Sequence, residues 1–339
     1  MFIPEASGAT MRRREFIKAA TASAVAWPLA GRAQQPDRVR RIGILTLYSQ
    51  TDREGQARIA MFRDTLQRLG WTDGRNVRIE YRWIAGDVDR EKASAAELVR
   101  STPDLIVVSG WTALAELHRL TNTIPVVFTQ VSDPVGSGFV VSLARPGGNI
   151  SGFQNFEPTI GGKWLGVLKE AAPNMRRAAI LFGSDSVATA AMLREAEAVA
   201  PSLGVQVTAI DIQGGVEIER AIATFASEPD GGLIFTPHPG LIPNRGSVIL
   251  SAARHRLPAV YPFRYFATEG GLMAYGPDQI DQWRGAATYA DRILRGEKPG
   301  ELPIQTPAKY ELVINLKAAN VMGLNIAPGL PLRASEVIE

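Results

Sequence analysis

The side chains with chemistry to offer fall in short polar clusters, most of them following a run of aliphatic residues. They are Tyr48-Ser49, Ser109-Gly110-Trp111-Thr112, Gln130-Val131-Ser132-Asp133, Gly183-Ser184-Asp185-Ser186 and Pro237-His238-Pro239. Their residue types suit holding a small molecule. Hydroxyls and helix N-terminal N–H groups hold a carboxylate where the helix dipole is positive, a role open to Ser109, Gly110 and Thr112. Ser and Thr at such points equally serve as helix caps. Asp133 or Asp278 is suited to pair with a ligand ammonium. The Asp133-Pro134 step also starts turns, and Asp278 after Pro277 also reads as a helix cap. Tyr48, Trp111, Phe263 and Tyr275 can form an aromatic wall for a planar or apolar ligand. Trp111 leads that set because it begins a helix at a strand end, and core packing is the competing use for all four. Ser49, Gln130, Ser132 and Ser184 complete the candidate ligand contacts. His238 between two prolines reads as a rigid loop and Arg264 as a solvated surface charge.

Chemistry that transforms a substrate finds little support. There is no cysteine, which removes disulfides, thiolate metal sites and cysteine nucleophiles. The three histidines, His118, His238 and His255, have no ligand spacing on one helix, so no metal site is expected. Gly136-Ser137-Gly138 lacks the five-residue frame of a nucleophile elbow. Tyr48-Ser49-Gln50-Thr51 stands after the first strand in place of a glycine-rich phosphate loop. No catalytic residue and no cofactor is expected.

These clusters need elements to position them. The chain of 339 residues is long enough for two lobes, with 45% hydrophobic and 21% charged residues, as in ordinary globular proteins. Strands are predicted at 41–47, 77–84, 105–108 and 125–128, with helices at 54–69, 90–100 and 112–120 between them. The alternation restarts with helix 160–171, strand 178–182, helix 187–200, strand 205–210, helix 217–226, strand 232–235, helix 245–255 and strand 259–261. Such alternation argues for parallel βαβ units in an α/β fold of two doubly wound, Rossmann-like lobes. Ligands of open α/β sheets bind beyond the carboxyl ends of the strands, which is where the polar clusters fall.

The net charge of +3 belongs to the N-terminal segment. Residues 1–33 hold Arg12, Arg13, Arg14, Lys18 and Arg32 against Glu5 and Glu15, which leaves 32 basic and 32 acidic residues in the remainder. A neutral body lacks a phosphate-binding stripe, so no nucleic-acid partner is expected. Arg12-Arg13-Arg14-Glu15-Phe16-Ile17-Lys18 fits the twin-arginine pattern. A weakly apolar stretch from Ala19 to Ala30 follows, and Gly31-Arg32-Ala33 supplies small residues for cleavage near Ala33. Residues 1–33 therefore read as an export signal, by the twin-arginine or the general route, toward the periplasm.

Three longer stretches carry a resemblance. One runs from Ser132-Asp133-Pro134-Val135 to Ser142-Leu143-Ala144-Arg145-Pro146-Gly147-Gly148-Asn149-Ile150-Ser151-Gly152. The second runs from Leu257 to Asp278, and the third from Pro307 to Leu316 and on to Glu339. Together they resemble the substrate-binding proteins of ABC transporters, the family that includes tryptophan-type amino-acid receptors. That resemblance implies a type I periplasmic-binding fold with three crossings between lobes, near Gly152–Asn155, Gly271–Tyr275 and Ile304–Pro307. Lobe 1 would then comprise 40–153 plus 275–304, and lobe 2 would comprise 156–271 plus 307–339. It implies a monomeric receptor that closes on a small amino acid-like or carboxylated ligand and delivers it to an ABC permease. A ligand-binding sensory module and an exported enzyme on the same fold are the alternatives.

Overall fold

The computed structural model describes residues 38–212 and 215–339. The expected export signal at 1–33 lies outside the described residues.

The first sheet has five parallel strands in the order β2-β1-β3-β4-β5: β1 Arg40–Thr46, β2 Val77–Trp83, β3 Leu105–Ser109, β4 Val126–Val131 and β5 Ile150–Gln154. Helices α1 Arg53–Arg68, α2 Val88–Arg100 and α3 Trp111–Leu120 make the crossovers. Asp52 and Asp87 start α1 and α2, each accepting hydrogen bonds from first-turn N–H groups. The central strands are buried on both faces, as their unbroken aliphatic runs require. Alternation assigns the faces: Leu105 and Val107 join one core with Ile42, Ile44 and Phe62, and Ile106 and Val108 join another with Leu45, Leu98 and Leu117.

The second sheet has seven strands in the order β12-β11-β10-β9-β8-β6-β7. These are β6 Arg177–Phe182, β7 Gln206–Asp211, β8 Gly231–Phe235, β9 Ala259–Tyr261, β10 Met273–Gly276, β11 Glu311–Asn315 and β12 Glu336–Ile338. Only the β10–β11 pair is antiparallel. Around it lie α4 Ile160–Ala171, α5 Val187–Val199, α6 Gly215–Phe225, α7 Arg245–Arg254 and the short α8 Arg264–Thr268. Helix α9, Gln279–Leu294, belongs with the first sheet, whereas α10 Leu316–Met322 and α11 Gly329–Arg333 follow β11. Trp283, Ala286, Ala287 and Ala290 of α9 lie in the same core as Phe62 of α1. The Trp283 and Phe62 rings meet edge to face at 6.1 Å.

The chain thus crosses three times between lobes. At the first crossing Asn155 follows β5, and at the third Gln305 precedes β11. The two run side by side, with Gln154 N–H donating to Gln305 O and Gln305 N–H to Gly152 O, both at 2.9 Å. The second crossing falls at Pro277-Asp278, later than the expected Gly271–Tyr275. Residues 273–276 are held in the second sheet by pairing with β9 and β11, Tyr275 opposite Leu312.

Candidate functional site

The carboxyl ends of both sheets open onto one cleft. Leu47, Gly110, Trp111, Gln130 and Ser132 line it from the first lobe. Ser186, Ala188, Thr189, the Pro237-His238-Pro239 loop, Ile242 and Phe263 line it from the second, and Asn155 stands on the first crossing between them.

Local sequence explains how several of these are presented. Gly110 has φ +96°, and a Cβ there would come within 2.2 Å of Leu47 Cδ2. Only glycine lets β3 turn this tightly into α3. No side chain caps the start of α3, so its positive end faces the cleft. Across from it, α5 begins at Ser186, whose hydroxyl accepts from Thr189 N–H at 3.4 Å, while the Thr189 hydroxyl donates to Gly183 O at 2.6 Å. In β4 the register shifts between Phe128 and Val131, and Gln130 takes φ +58°. Such a backbone costs on the order of 1–3 kcal/mol in a non-glycine residue. Here it turns the carboxamide off the strand, where Nε2 donates to the Tyr48 hydroxyl at 3.0 Å.

His238 is the one titratable side chain lining the cleft among the described residues. Its Nδ1 accepts from Gly240 N–H at 3.1 Å, which leaves the proton of the neutral ring on Nε2. Burial lowers its pKa below the ordinary histidine value, against the opposing pull of Asp185 and Asp211. The wall is therefore apolar and aromatic, with neutral amides, hydroxyls and two helix ends as its polar features.

Charge gathers instead at one edge, in a second cavity lined by Ser49, Asp52, Arg245 and Glu269. Arg245 donates to Asp52 Oδ2 of the first lobe at 2.6 Å and to Glu269 Oε2 of the second at 2.7 Å. Asp52 meanwhile caps α1 through Oδ1. Behind this pair the buried Arg58 guanidinium lies over the Tyr48 ring at 4.9 Å and the Tyr265 ring of the second lobe at 5.7 Å. Arg58 also donates to Glu54 Oε2 at 2.7 Å and to Gln279 Oε1. Burial pushes the Tyr265 hydroxyl pKa well up, so it stays protonated.

Of the residues expected at the site, Gly110, Trp111, Gln130, Ser132 and Phe263 are brought together in the cleft. Tyr48 is fully buried beneath Arg58, and Ser49 lies at the charged edge. The Ser109 hydroxyl is turned inward, 3.4 Å from both Leu47 N and Thr46 Oγ1. Thr112 donates to Glu91 at 2.9 Å, whose carboxyl pKa is raised by burial. Asp133 closes its own turn on Gly136 N–H at 2.9 Å. Ser184 is bonded to Asp211 through both its N–H (3.0 Å) and its hydroxyl (2.5 Å). The Tyr275 ring packs against Tyr310 in the second lobe. Asp278 caps α9 and borders a groove behind the crossings.

Sequence reasoning missed Leu47, Asn155, Ala188, Thr189 and Ile242 as cleft-lining residues; Ser186 and the prolines flanking His238 stood in its polar clusters without being singled out, and it took His238 itself for a rigid loop. Asn155 had a legible signal: it is a polar residue at a predicted crossing, where both lobes meet.

Comparison with known proteins agrees with this architecture. A family model described as ABC transporter substrate binding protein matches residues 53–338. The chain is 25% identical over 268 residues to the Tyrosine-binding protein of Clostridioides difficile (strain R20291), covering 78% of this chain and 76% of that one. A conserved domain protein from Vibrio cholerae superposes with a TM-score of 0.82 at 22% identity, covering 88% of this chain and all of that one. An ABC domain from Streptococcus pneumonia, solved in complex with L-Trp, superposes at 0.81 with 24% identity, covering 88% of this chain and 99% of that one. The fold is the type I periplasmic-binding fold.

Proposed function

The chain belongs to the ABC transporter substrate-binding protein family, and from that membership we propose that it captures one amino acid-like or carboxylated molecule between its lobes. The family comprises extracytoplasmic solute-binding proteins that serve ABC permeases, and its members are not enzymes. The observation that carries the ligand reading is the cleft wall. Trp111 and Phe263 offer aromatic surface, the uncapped start of α3 attracts a carboxylate, and apart from His238, whose pKa burial lowers, no acidic or basic side chain lines it among the described residues. A zwitterion with an uncharged side chain suits such a wall, because a net charge would be buried without a counter-ion. The relative named Tyrosine-binding protein supports the same ligand class.

In this reading the protein works as a monomer in the periplasm after removal of the leader near Ala33, and it binds no nucleic acid. The lobes take residues 40–153 with the α9 segment, and 156–276 with the C-terminal strands. Closing them on the ligand makes the surface that a permease recognises.

A thermal-shift screen against L-amino acids, small carboxylates, sugars and ureas tests the ligand class, since a ligand of the native state raises the melting temperature by mass action. An aromatic L-amino acid should give a clear rise and be recovered unchanged. Trp111→Ala should weaken that ligand by about 1–3 kcal/mol, roughly tenfold to a hundredfold in calorimetric affinity. A response confined to sugars would sink the amino-acid reading.

A further inference from the structure

Two polar atoms in the cleft wall have no hydrogen-bond partner among the described residues: Gln130 Oε1 and Asn155 Nδ2. Gln130 is 8% exposed and Asn155 1% exposed. Buried polar atoms are almost always paired, so both point to a ligand.

The two amides differ in how firmly their polarity is set. Gln282 of α9 donates from Nε2 to Gln154 O at 3.2 Å, and its Oε1 accepts from Gln130 N–H at 3.3 Å. Backbone groups cannot exchange donor for acceptor, so they dictate which end of the Gln282 amide points where. Gln282 Nε2 then also donates to Asn155 Oδ1 at 2.9 Å. That bond makes Nδ2 the unbonded end of Asn155, while Asn155 N–H is tied to Val131 O at 2.8 Å. Gln130 has no such constraint. Its partner is the Tyr48 hydroxyl, which accepts or donates equally well, so Gln130 can turn either end to a ligand.

We propose that Asn155 is the residue that fixes ligand polarity, presenting a permanent donor to an acceptor oxygen of the ligand, and that Gln282 is its positioning residue. Gln130 adapts to whatever stands beside that oxygen. Resting on the amino-acid reading above, this assigns the ligand carboxylate to Asn155 and its ammonium to Gln130 Oε1.

The test uses the full chain and calorimetric titration with L-tryptophan, L-tyrosine and L-leucine, each beside its carboxamide and its decarboxylated amine. Wild type should bind acid and carboxamide, and the amine at least about tenfold more weakly. Asn155→Asp keeps an acceptor for Gln282 but turns an anionic oxygen to the cleft. The acid should lose about a hundredfold and the carboxamide less than about tenfold, because its NH2 can turn to the new acceptor. Gln282→Glu removes the donor that holds Asn155, whose amide then reverses, and it should shift the acid-to-carboxamide ratio the same way. A merely structural role would weaken both ligands alike. Equal losses in both variants, with unchanged far-UV circular dichroism, overturn the proposal and leave the amino-acid reading intact. If wild type binds only a different compound from the thermal-shift screen, the amino-acid reading falls. Asn155 then keeps its role only if Asn155→Asp weakens that compound at least tenfold. Binding of nothing in either set overturns both.

Discussion

The two ends of the cleft are braced by opposite means. At the crossings the contacts are neutral amides: Gln282 on Gln130, Gln154 and Asn155, all within 3.3 Å. At the far edge they are ionic: Arg245 between Asp52 and Glu269, with Arg58 against Tyr265 behind. An amide network is short-ranged and indifferent to salt, which suits the axis about which the lobes turn. A partly buried ion pair at a cavity edge acts over a longer distance and is still screened by salt to a degree, which suits surfaces that must separate and meet again.

The largest effect should come from the amide end. Gln282→Ala leaves the Gln154 carbonyl, the Gln130 N–H and the Asn155 side chain without their partner, and should remove about 2–4 kcal/mol of stability. Thermal unfolding at low and high salt should show the same loss; a loss that shrinks with salt would break the contrast. At the ionic end, Arg245→Ala should weaken ligand binding about tenfold, because the closed state loses the Arg245–Asp52 pair across the lobes and leaves that carboxylate half-buried. Raising salt should weaken the wild type while leaving this variant nearly unchanged; equal salt slopes would mean that the ion pair is idle in closure.

The smallest effect belongs to His238, between the two ends. Its folded pKa is lowered by burial, so below the ordinary value of about 6.5 the unfolded chain binds a proton that the native ring refuses. The stability present above that pH is lost as pH falls from there through the folded value. Melting temperatures of wild type should therefore drop on acidification more than those of His238→Gln, and parallel curves would show that the ring titrates normally.

This division was half legible beforehand. The alternation of aliphatic runs with helical segments is a local property, and it located β1, β2, β3 and β8 within a residue. The strand ends do face one cleft, and Gly110, Trp111, Gln130, Ser132 and Phe263 line it. What local reasoning could not supply is the outcome of competition for hydrogen bonds. Ser109, Thr112 and Asp133 have the right chemistry, yet partners brought by folding take each of them: Leu47 N and Thr46, Glu91, and the Asp133 turn itself. Asn155 and Gln282 are separated by more than a hundred residues, so no spacing rule joins them. Tyr275 was misjudged because its strand is fixed by pairing with β11, which comes later in the chain.

The return of α9 to the first lobe has a consequence for how the molecule is made. Phe62, Ile42 and Ile44 share their core with Trp283 and Ala287, so that face of the first sheet has α1 but lacks α9 until the ribosome has passed Leu294. From Gln154, where the first sheet's last strand ends, the intervening stretch takes roughly ten to thirty seconds to synthesise at common elongation rates. During that interval the nascent chain lacks the helix that completes this face, and the second lobe is already largely built. The amino-terminal half is thus translated first and finished late.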